Sequence, residues 1–264
     1  EVATAIRQHY RPRFADDALP DSIIGICVAL ADKLETIVGL FGVGEQPTGD
    51  KDPFGLRRQA IGILRMLMEK RLPLQLHWLS RTAFSAFPPG LIGDAHTDVE
   101  LFLLDRLRGL LREQGYTANE VESVVARGPD RIDLIPELLA AVRAFMKLPE
   151  AESLASANKR IDNILKKADR VPSSFENALL FEPAERSLGD AFSAVQPWAE
   201  QLYASGDYSA VLKSLVPLKL PVDRFFDEVM VNVDDAKLRA NRLGLLAALR
   251  TTMNRVADIS KLST

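Results

Sequence analysis

Apolar residues recur along this chain three or four positions apart, with polar residues between them, which is the spacing of an α-helix. The segment 56–70 is the clearest case, since its apolar residues share one face and its charged residues share the other. The segment 23–41 is apolar nearly all round, which predicts a buried helix. No segment alternates apolar and polar residues over the length of a strand. The pattern therefore predicts an all-α protein.

A charged turn, residues 47–58, ends the first of these predicted helices and begins the second. Asp52 stands directly before Pro53, an order typical of a helix N-cap followed by proline at the first helical position. We therefore predict that a helix begins at Pro53. The basic residues Lys51, Arg57 and Arg58 give this corner a local positive charge, although such charges usually lie on a solvated surface.

Composition limits the kind of protein. The chain has 264 residues, of which 47% are hydrophobic and 26% charged, as in a soluble globular protein of one or two domains. Its net charge of -3 means that any surface for nucleic acid must be a local basic patch. Cys27 is the single cysteine, so no disulfide forms within the chain, and a reducing, cytoplasmic setting is expected. No run is apolar enough to predict a membrane span.

Two helical segments carry local positive charge. Between 155 and 172, several polar and basic side chains project away from the apolar face, and in the last predicted helix, 235–259, Arg239 and Arg250 lie together at the edge of the apolar stripe. A solvated helix surface is the ordinary explanation, and a phosphate-binding surface is the alternative. The candidates for such a phosphate-binding surface are Lys159, Arg160, Asn163, Lys166, Lys167, Arg170, Arg239 and Arg250.

Some polar and aromatic side chains are predicted to be structural. Asn158 projects onto an apolar helix face, where its amide must be hydrogen-bonded. Arg242 projects into an apolar stripe, so we expect a salt bridge with Asp223 or Asp227. The adjacent residues 225 and 226 are phenylalanines, which could stack on bases but at this spacing are expected to belong to the core.

The most specific motifs surround the charged turn: Ala31-Asp32-Lys33-Leu34-Glu35, Pro47-Thr48-Gly49-Asp50-Lys51-Asp52-Pro53-Phe54 and Leu56-Arg57-Arg58. They closely resemble the beta-subunit family of bacterial-type glycyl-tRNA synthetases. The similarity continues to the end of the chain, through the segments 102–108, 148–151, 157–165, 222–231, 238–243 and 256–262. It implies an HD-like helical domain truncated at its amino end (1–80), connecting helices (81–147) and a helical anticodon-binding domain (148–264). Glu1 is not methionine, and we expect this to be part of a longer chain.

The resemblance implies that the chain binds glycine tRNA and carries no catalytic residue and no metal of its own. The eight candidates above would then contact tRNA, and Lys51, Arg57 and Arg58 would form a secondary contact with RNA or with another subunit. It also implies ATP and magnesium for the whole enzyme, whose glycine-activating site belongs to a separate alpha subunit. A cytoplasmic location follows from the same resemblance.

The alternative is a metal-dependent phosphohydrolase of the HD type. His9 and Asp32 weakly resemble parts of such a site, but two ligands are too few for it. Glu35 stands where the synthetase family pattern usually has Asp, which makes a metal role there still less expected. His77 and His96 have no acidic or cysteine partner at ligand spacing, so we predict no chemistry for them.

Overall fold

The computed structural model describes residues 1–14 and 16–263. Helices account for its regular structure, and apart from two isolated β-bridges the described residues contain no strand. The predicted all-α class is therefore confirmed. In chain order the helices are α1 (Val2–Gln8), α2 (Ile23–Gly42), α3 (Leu56–Glu69), α4 (Leu76–Ser85), α5 (His96–Glu113), α6 (Ala118–Val125), α7 (Ile135–Phe145), α8 (Ala151–Lys166), α9 (Pro183–Ala204), α10 (Tyr208–Ser214), α11 (Lys219–Glu228) and α12 (Ala236–Met253).

The chain divides into two compact units. Unit 1 comprises Glu1–Tyr116 and Gly128–Pro136, and unit 2 comprises Thr117–Arg127 and Glu137–Thr264. Residues of the predicted connecting segment, 81–147, thus occur in both units, and the three-part division stays a prediction. Within the described ranges, none of the helices combines the length and the apolar character needed to cross a bilayer.

Unit 1 is built around α2 and α3. The apolar face predicted for α3 is buried, and α2 packs against α1, α3, α4 and α5. The prediction that α2 is buried all round is wrong, because Ile23 and Val28 are 75% and 42% exposed. These residues lie on the side of α2 away from the helices that cover it, so apolar composition alone overstated the burial.

The start of α3 also differs from the prediction. The helix begins at Leu56 rather than at Pro53, because Gly55 occupies the N-cap position in the left-handed conformation, with φ of 65°. The carboxylate of Asp52 nevertheless caps this helix, since it accepts hydrogen bonds from the backbone N–H groups of Leu56 (2.8 Å) and Arg57 (3.0 Å). The capping residue was predicted correctly and the helix boundary was not.

Buried polar side chains connect the helices of unit 2. The predicted hydrogen bonding of Asn158 is confirmed for its amide nitrogen, because Nδ2 donates to Oδ1 of Asn254 at 2.7 Å and both residues are buried. Its Oδ1 is buried and has no hydrogen-bond partner among the described residues. Arg242 is also buried and paired, but its partners are Glu182 and Glu185 rather than Asp223 or Asp227. The reason is that the amino-terminal end of α9 carries these two carboxylates to the guanidinium.

The two phenylalanines of α11 have different surroundings. Phe225 is fully buried, as predicted, and Phe226 is half-buried. The guanidinium of Arg160 lies over the ring of Phe226, with its central carbon 4.3 Å from the ring centroid. That face of the ring is therefore already covered by a cation.

Candidate nucleic-acid interface

The exposed side of α8 forms one wall of a small basic cleft. Its apolar residues, such as Leu154 and Ile161, are buried, so the helical period turns Lys159, Asn163 and Lys166 towards solvent. These side chains face the end of the chain across a cleft of about 280 Å³. We call it the lysine cleft, and its lining residues are Lys159, Asp162, Asn163, Lys166, Ser260, Lys261 and Ser263.

Hydrogen bonds hold the opposite wall of the lysine cleft in place. Oδ1 of Asn254 accepts from the backbone N–H of Ile259 at 3.1 Å, in addition to its bond from Asn158. The Asp258 N–H donates to the carbonyl oxygen of Ser123 at 2.6 Å, and the Asp258 carboxylate caps the 3-10 turn Ile259–Leu262. Lys261 thereby joins the lysines of α8, although it was not among the predicted candidates. Its only signal in the sequence was the excess of basic residues near the end of the chain.

A second and larger groove, of about 820 Å³, lies between the segment that follows α8 and the amino-terminal part of α12. We call it the arginine groove, after Arg170 and Arg239. The residues that line it are Lys167, Ala168, Asp169, Arg170, Pro172, Ser173, Ser174, Asn232, Val233, Asp234, Ala236, Arg239, Ala240 and Leu243.

Two residues of α12 fix the first wall of the arginine groove. Asn241 makes two hydrogen bonds to the backbone of Glu176. Its Oδ1 accepts from the Glu176 N–H at 2.7 Å, and its Nδ2 donates to the Glu176 carbonyl oxygen at 3.1 Å. Gly244 allows the same segment to approach closely, since a Cβ at this position would lie 2.3 Å from the carbonyl oxygen of Ser174. The segment that carries Lys167 and Arg170 is thus anchored just beyond them.

Two arginines of α12 fix the second wall. Nη1 of Arg239 donates to the carbonyl oxygen of Val233 at 2.9 Å, and Nη1 of Arg242 donates to that of Met230 at 2.6 Å. Asp235 caps α12 by accepting from the backbone N–H groups of Leu238 and Lys237, and these bonds hold the pKa of its carboxyl below the usual value. The groove therefore has a fixed backbone on both sides.

The predicted RNA-contacting residues differ in exposure and in whether a partner within the protein already contacts them. Lys159, Lys166, Lys167 and Arg170 are exposed and have no ion-pair partner among the described residues. Arg160 covers Phe226, as described above. Asn163 is exposed between Lys159 and Lys166.

Arg239 and Arg250 share a face of α12, but eleven residues, or about 16 Å of helix, separate them. Arg239 lines the arginine groove, whereas the guanidinium of Arg250 pairs with Asp162, a residue that lines the lysine cleft. The two arginines thus belong to different surfaces, and the charge of Arg250 is already partly neutralised. The RNA contacts of all eight candidates stay a prediction.

The basic corner of unit 1 is partly structural. Lys51 and Thr48 exchange backbone hydrogen bonds of 2.8 and 3.1 Å, and the Arg57 guanidinium donates to the carbonyl oxygen of Gly49, so both close the turn. Arg58 is exposed and lines a cleft of about 380 Å³ together with Lys33. A secondary contact at Lys51, Arg57 and Arg58 also stays a prediction.

The phosphohydrolase alternative gains no support from the described residues. Neither His9 nor Asp32 belongs to a group of three possible metal ligands there. The Lys33 ammonium, which follows Asp32, is buried and donates to the carbonyl oxygen of His9 at 3.0 Å. Burial lowers the pKa of Lys33. A buried cation next to the two supposed ligands is unfavourable for a metal ion.

The prediction that His77 and His96 lack an acidic partner is wrong. Glu100 Oε1 lies 2.9 Å from Nδ1 of His77 and 3.1 Å from Nε2 of His96. His96 and Glu100 are four residues apart on α5, which was visible in the sequence as helical spacing. The approach of His77 depends on how α4 packs against α5, which the sequence did not reveal.

The basic surface of unit 2 lies in a region that matches a known protein family. Residues 154–263, which include both clefts, match a family model described as the DALR anticodon binding domain. The fold and the basic surface thus define a protein with a helical anticodon-binding domain. Residues 1–126 match a second family model, described as the glycyl-tRNA synthetase beta subunit.

Individual relatives agree with both matches. The chain is 61% identical over 264 residues to the glycine--tRNA ligase beta subunit of Thiobacillus denitrificans, covering 100% of this chain and 38% of the relative. It is 56% identical over 266 residues to that of Dechloromonas aromatica (100% and 37%) and 56% identical over 263 residues to that of Leptothrix cholodnii (99% and 37%). These matches confirm the predicted resemblance to the glycyl-tRNA synthetase beta-subunit family, and the chain spans less than two fifths of the length of these relatives.

Proposed function

We propose that this chain is a tRNA-binding part of a glycyl-tRNA synthetase. It binds glycine tRNA during ATP-dependent aminoacylation. The observation that carries the proposal is the pair of basic surfaces, the lysine cleft and the arginine groove, within the region that matches an anticodon-binding domain. Unit 2 presents these cations although the chain as a whole has a net charge of -3.

The chemistry of the two surfaces suits the RNA backbone. Lys159, Lys166, Lys167 and Arg170 can each neutralise a phosphate, because none of them is neutralised by a carboxylate within the described residues. Asn163 offers an amide that can both donate to and accept from a base or a 2′-hydroxyl. Lysines supply affinity in this arrangement, and the amide is the side chain suited to discriminate between nucleotides.

The remaining parts of the proposal concern the whole enzyme. Glycine activation with ATP and magnesium takes place on a separate alpha subunit, so this chain contains no catalytic residue, and the assembly works in the cytoplasm. Lys51, Arg57 and Arg58 supply a secondary contact, to RNA or to the alpha subunit. The match of residues 1–126 to the beta-subunit family model and the 61% identity to one such subunit support these statements.

Charge reversal on the proposed surface tests RNA binding. The triple variant Lys159→Glu, Lys166→Glu, Arg170→Glu should bind glycine tRNA at least about 10-fold more weakly than the original chain, because three phosphate contacts are lost. The dependence of log affinity on log salt concentration should become shallower by about one for each contact, or about three in total. Gel-shift titrations at two salt concentrations measure both quantities.

A charge-matched control separates local contact from net charge. Lys147, Lys213 and Lys237 are exposed residues of unit 2 that line neither cleft, and their triple replacement by Glu changes the net charge equally. This control should retain the original affinity to within about twofold, since it removes no short-range contact. Equal binding by the two triple variants would contradict the assignment of the surface, and the basic corner of unit 1 would become the site to test.

A further inference from the structure

Two histidines and a glutamate meet where α4 and α5 of unit 1 pack together. His77 is the second residue of α4, His96 is the first residue of α5, and Glu100 follows one turn later. Nδ1 of His77, Nε2 of His96 and Oε1 of Glu100 lie 2.9, 3.0 and 3.1 Å from one another. Among the described residues, no other group of histidine, cysteine or acidic side chains brings three such atoms together.

The surrounding structure holds both helix ends in position. The backbone N–H of Leu76 donates to the carbonyl oxygen of Asp130 and that of His77 to the Asp130 carboxylate, each at 2.8 Å, which anchors the start of α4. The N–H of His96 donates to the carboxylate of Asp94 at 3.2 Å, which anchors the start of α5. The three side chains thus project from two fixed helix ends rather than from loops.

A buried serine orients the ring of His96. Ser80 is fully buried, and its Oγ lies 2.9 Å from Nδ1 of His96. When Nδ1 carries the proton and donates to Ser80, the lone pair of Nε2 points at Glu100 and His77. A hydrogen bond from the second ring nitrogen is the usual support of a metal-binding histidine, because it fixes the tautomer and the ring plane.

We propose that His77, His96 and Glu100 bind one zinc ion. Zn–N and Zn–O bonds of about 2.0–2.2 Å in a tetrahedron place ligand atoms roughly 3.3 Å apart, so these three atoms need to separate by only a few tenths of an ångström. Two imidazoles and one carboxylate favour zinc or a similar transition metal over magnesium, which prefers oxygen ligands.

The site is open on the side of His77, whose side chain is 53% exposed, while those of His96 and Glu100 are 15% and 27% exposed. A three-ligand zinc site completes its coordination with water, so at least one position remains for solvent. The bound ion would join the first turn of α4 to the first turn of α5. We assign it this stabilising role within unit 1, separate from the basic surfaces of unit 2.

Zinc binding is measured on the tag-free full chain in a Cys27→Ser background, because Cys27 is exposed and its thiolate could also bind zinc. The protein is equilibrated with micromolar zinc, freed of unbound metal by gel filtration and assayed for metal content. The variants are His77→Ala and Glu100→Gln, and the matched control is His9→Ala, which changes the remaining histidine outside the site. Circular dichroism checks that each variant is folded.

The background protein and the His9 control should hold about one zinc ion per chain and gain thermal stability when zinc is added, since a ligand that binds the folded state stabilises it. Both site variants should bind zinc at least about 10-fold more weakly and should gain no thermal stability when zinc is added. The reason is that His77→Ala removes a ligand, whereas Glu100→Gln replaces a carboxylate by an amide, which is a poor zinc ligand. Replacement by cobalt should give the visible absorption of a low-coordinate site only in the background and control proteins. Absence of binding in the background protein, or equal binding in all four proteins, would overturn the proposal.

Discussion

At the level of single residues, the buried arginine of α12 connects the stability of unit 2 to the arginine groove. The Arg242 guanidinium is 1% exposed, the Glu185 carboxylate that it meets is fully buried, and its Nη1 also holds the loop that forms the second wall of the arginine groove. Removing one partner of a buried ion pair costs far more than removing an exposed pair, because the remaining charge has no compensation.

Arg242→Met should therefore destabilise the folded chain by about 3–5 kcal/mol. Arg224→Met is the control in the same unit, since its side chain and that of its partner Glu228 are 54% and 46% exposed, so this pair should be worth only about 1 kcal/mol or less. Urea unfolding followed by circular dichroism compares the two. Equal unfolding midpoints for the two variants would mean that the buried pair does not stabilise unit 2.

The same residues show what a sequence can predict at this level. The helical period fixes which side of a helix a residue faces, so the burial of Asn158 and Arg242 could be predicted. Their partners could not, because these depend on which other helix packs against that side. Asp223 is near Arg242 in the sequence but pairs with Lys219, whereas Glu185 is 57 residues away and pairs with Arg242. The meeting of His77 with Glu100 was missed for the same reason.

Among the helices, α3 shows that the residue that caps a helix need not stand directly before its first helical residue. Asp52 was predicted to cap a helix that begins at the next residue, yet it caps one that begins four residues later. Gly55 causes this difference, since its positive φ inserts a turn between cap and helix. Local sequence signals identify the capping residue well but locate the first helical residue less accurately.

Asp52→Ala should destabilise unit 1 by about 1 kcal/mol, because two N–H groups at the start of α3 lose their acceptor. Asp50→Ala is the control, as Asp50 is exposed in the same turn and accepts no hydrogen bond within the described residues. It should change stability by less than about 0.5 kcal/mol. Thermal unfolding of both variants measures the difference, and a loss as large for Asp50→Ala would show that the carboxylate of Asp52 is not the cap.

The candidate site was predictable where it lies on one helix. Lys159, Asn163 and Lys166 follow from the period of α8 alone. Lys261, Ser173 and Asn232 do not follow from it, because each cleft wall is made by segments that are distant in sequence and come together through tertiary contacts. Asn241 holds the segment of Ser173, Arg239 and Arg242 hold that of Asn232, and Asn254 holds that of Lys261. Periodicity gave the α8 wall of the lysine cleft and the position of Arg239 on α12, and tertiary packing supplied the rest. Arg170 was predicted on the same helical face as Lys159, but α8 ends at Lys166 and Arg170 lies beyond it.

For the whole molecule, RNA binding should depend more on where the charges lie than on the net charge. A chain with net charge -3 does not attract RNA everywhere, so an RNA complex should form at the local basic surfaces and should weaken as salt rises. Composition excluded a uniformly basic protein but could not locate these surfaces. The match of residues 154–263 to an anticodon-binding family adds an expectation about the RNA itself, which is that its anticodon arm is the part bound.

Footprinting of glycine tRNA tests this expectation most directly. With the full chain bound at low salt, hydroxyl-radical cleavage should be reduced in the anticodon stem and loop. The protection should disappear with the Lys159→Glu, Lys166→Glu, Arg170→Glu variant and persist with the charge-matched control. Protection confined to the acceptor arm, or protection of the anticodon arm that is unchanged in the triple variant, would contradict the proposal that unit 2 grips the anticodon arm through its two basic surfaces.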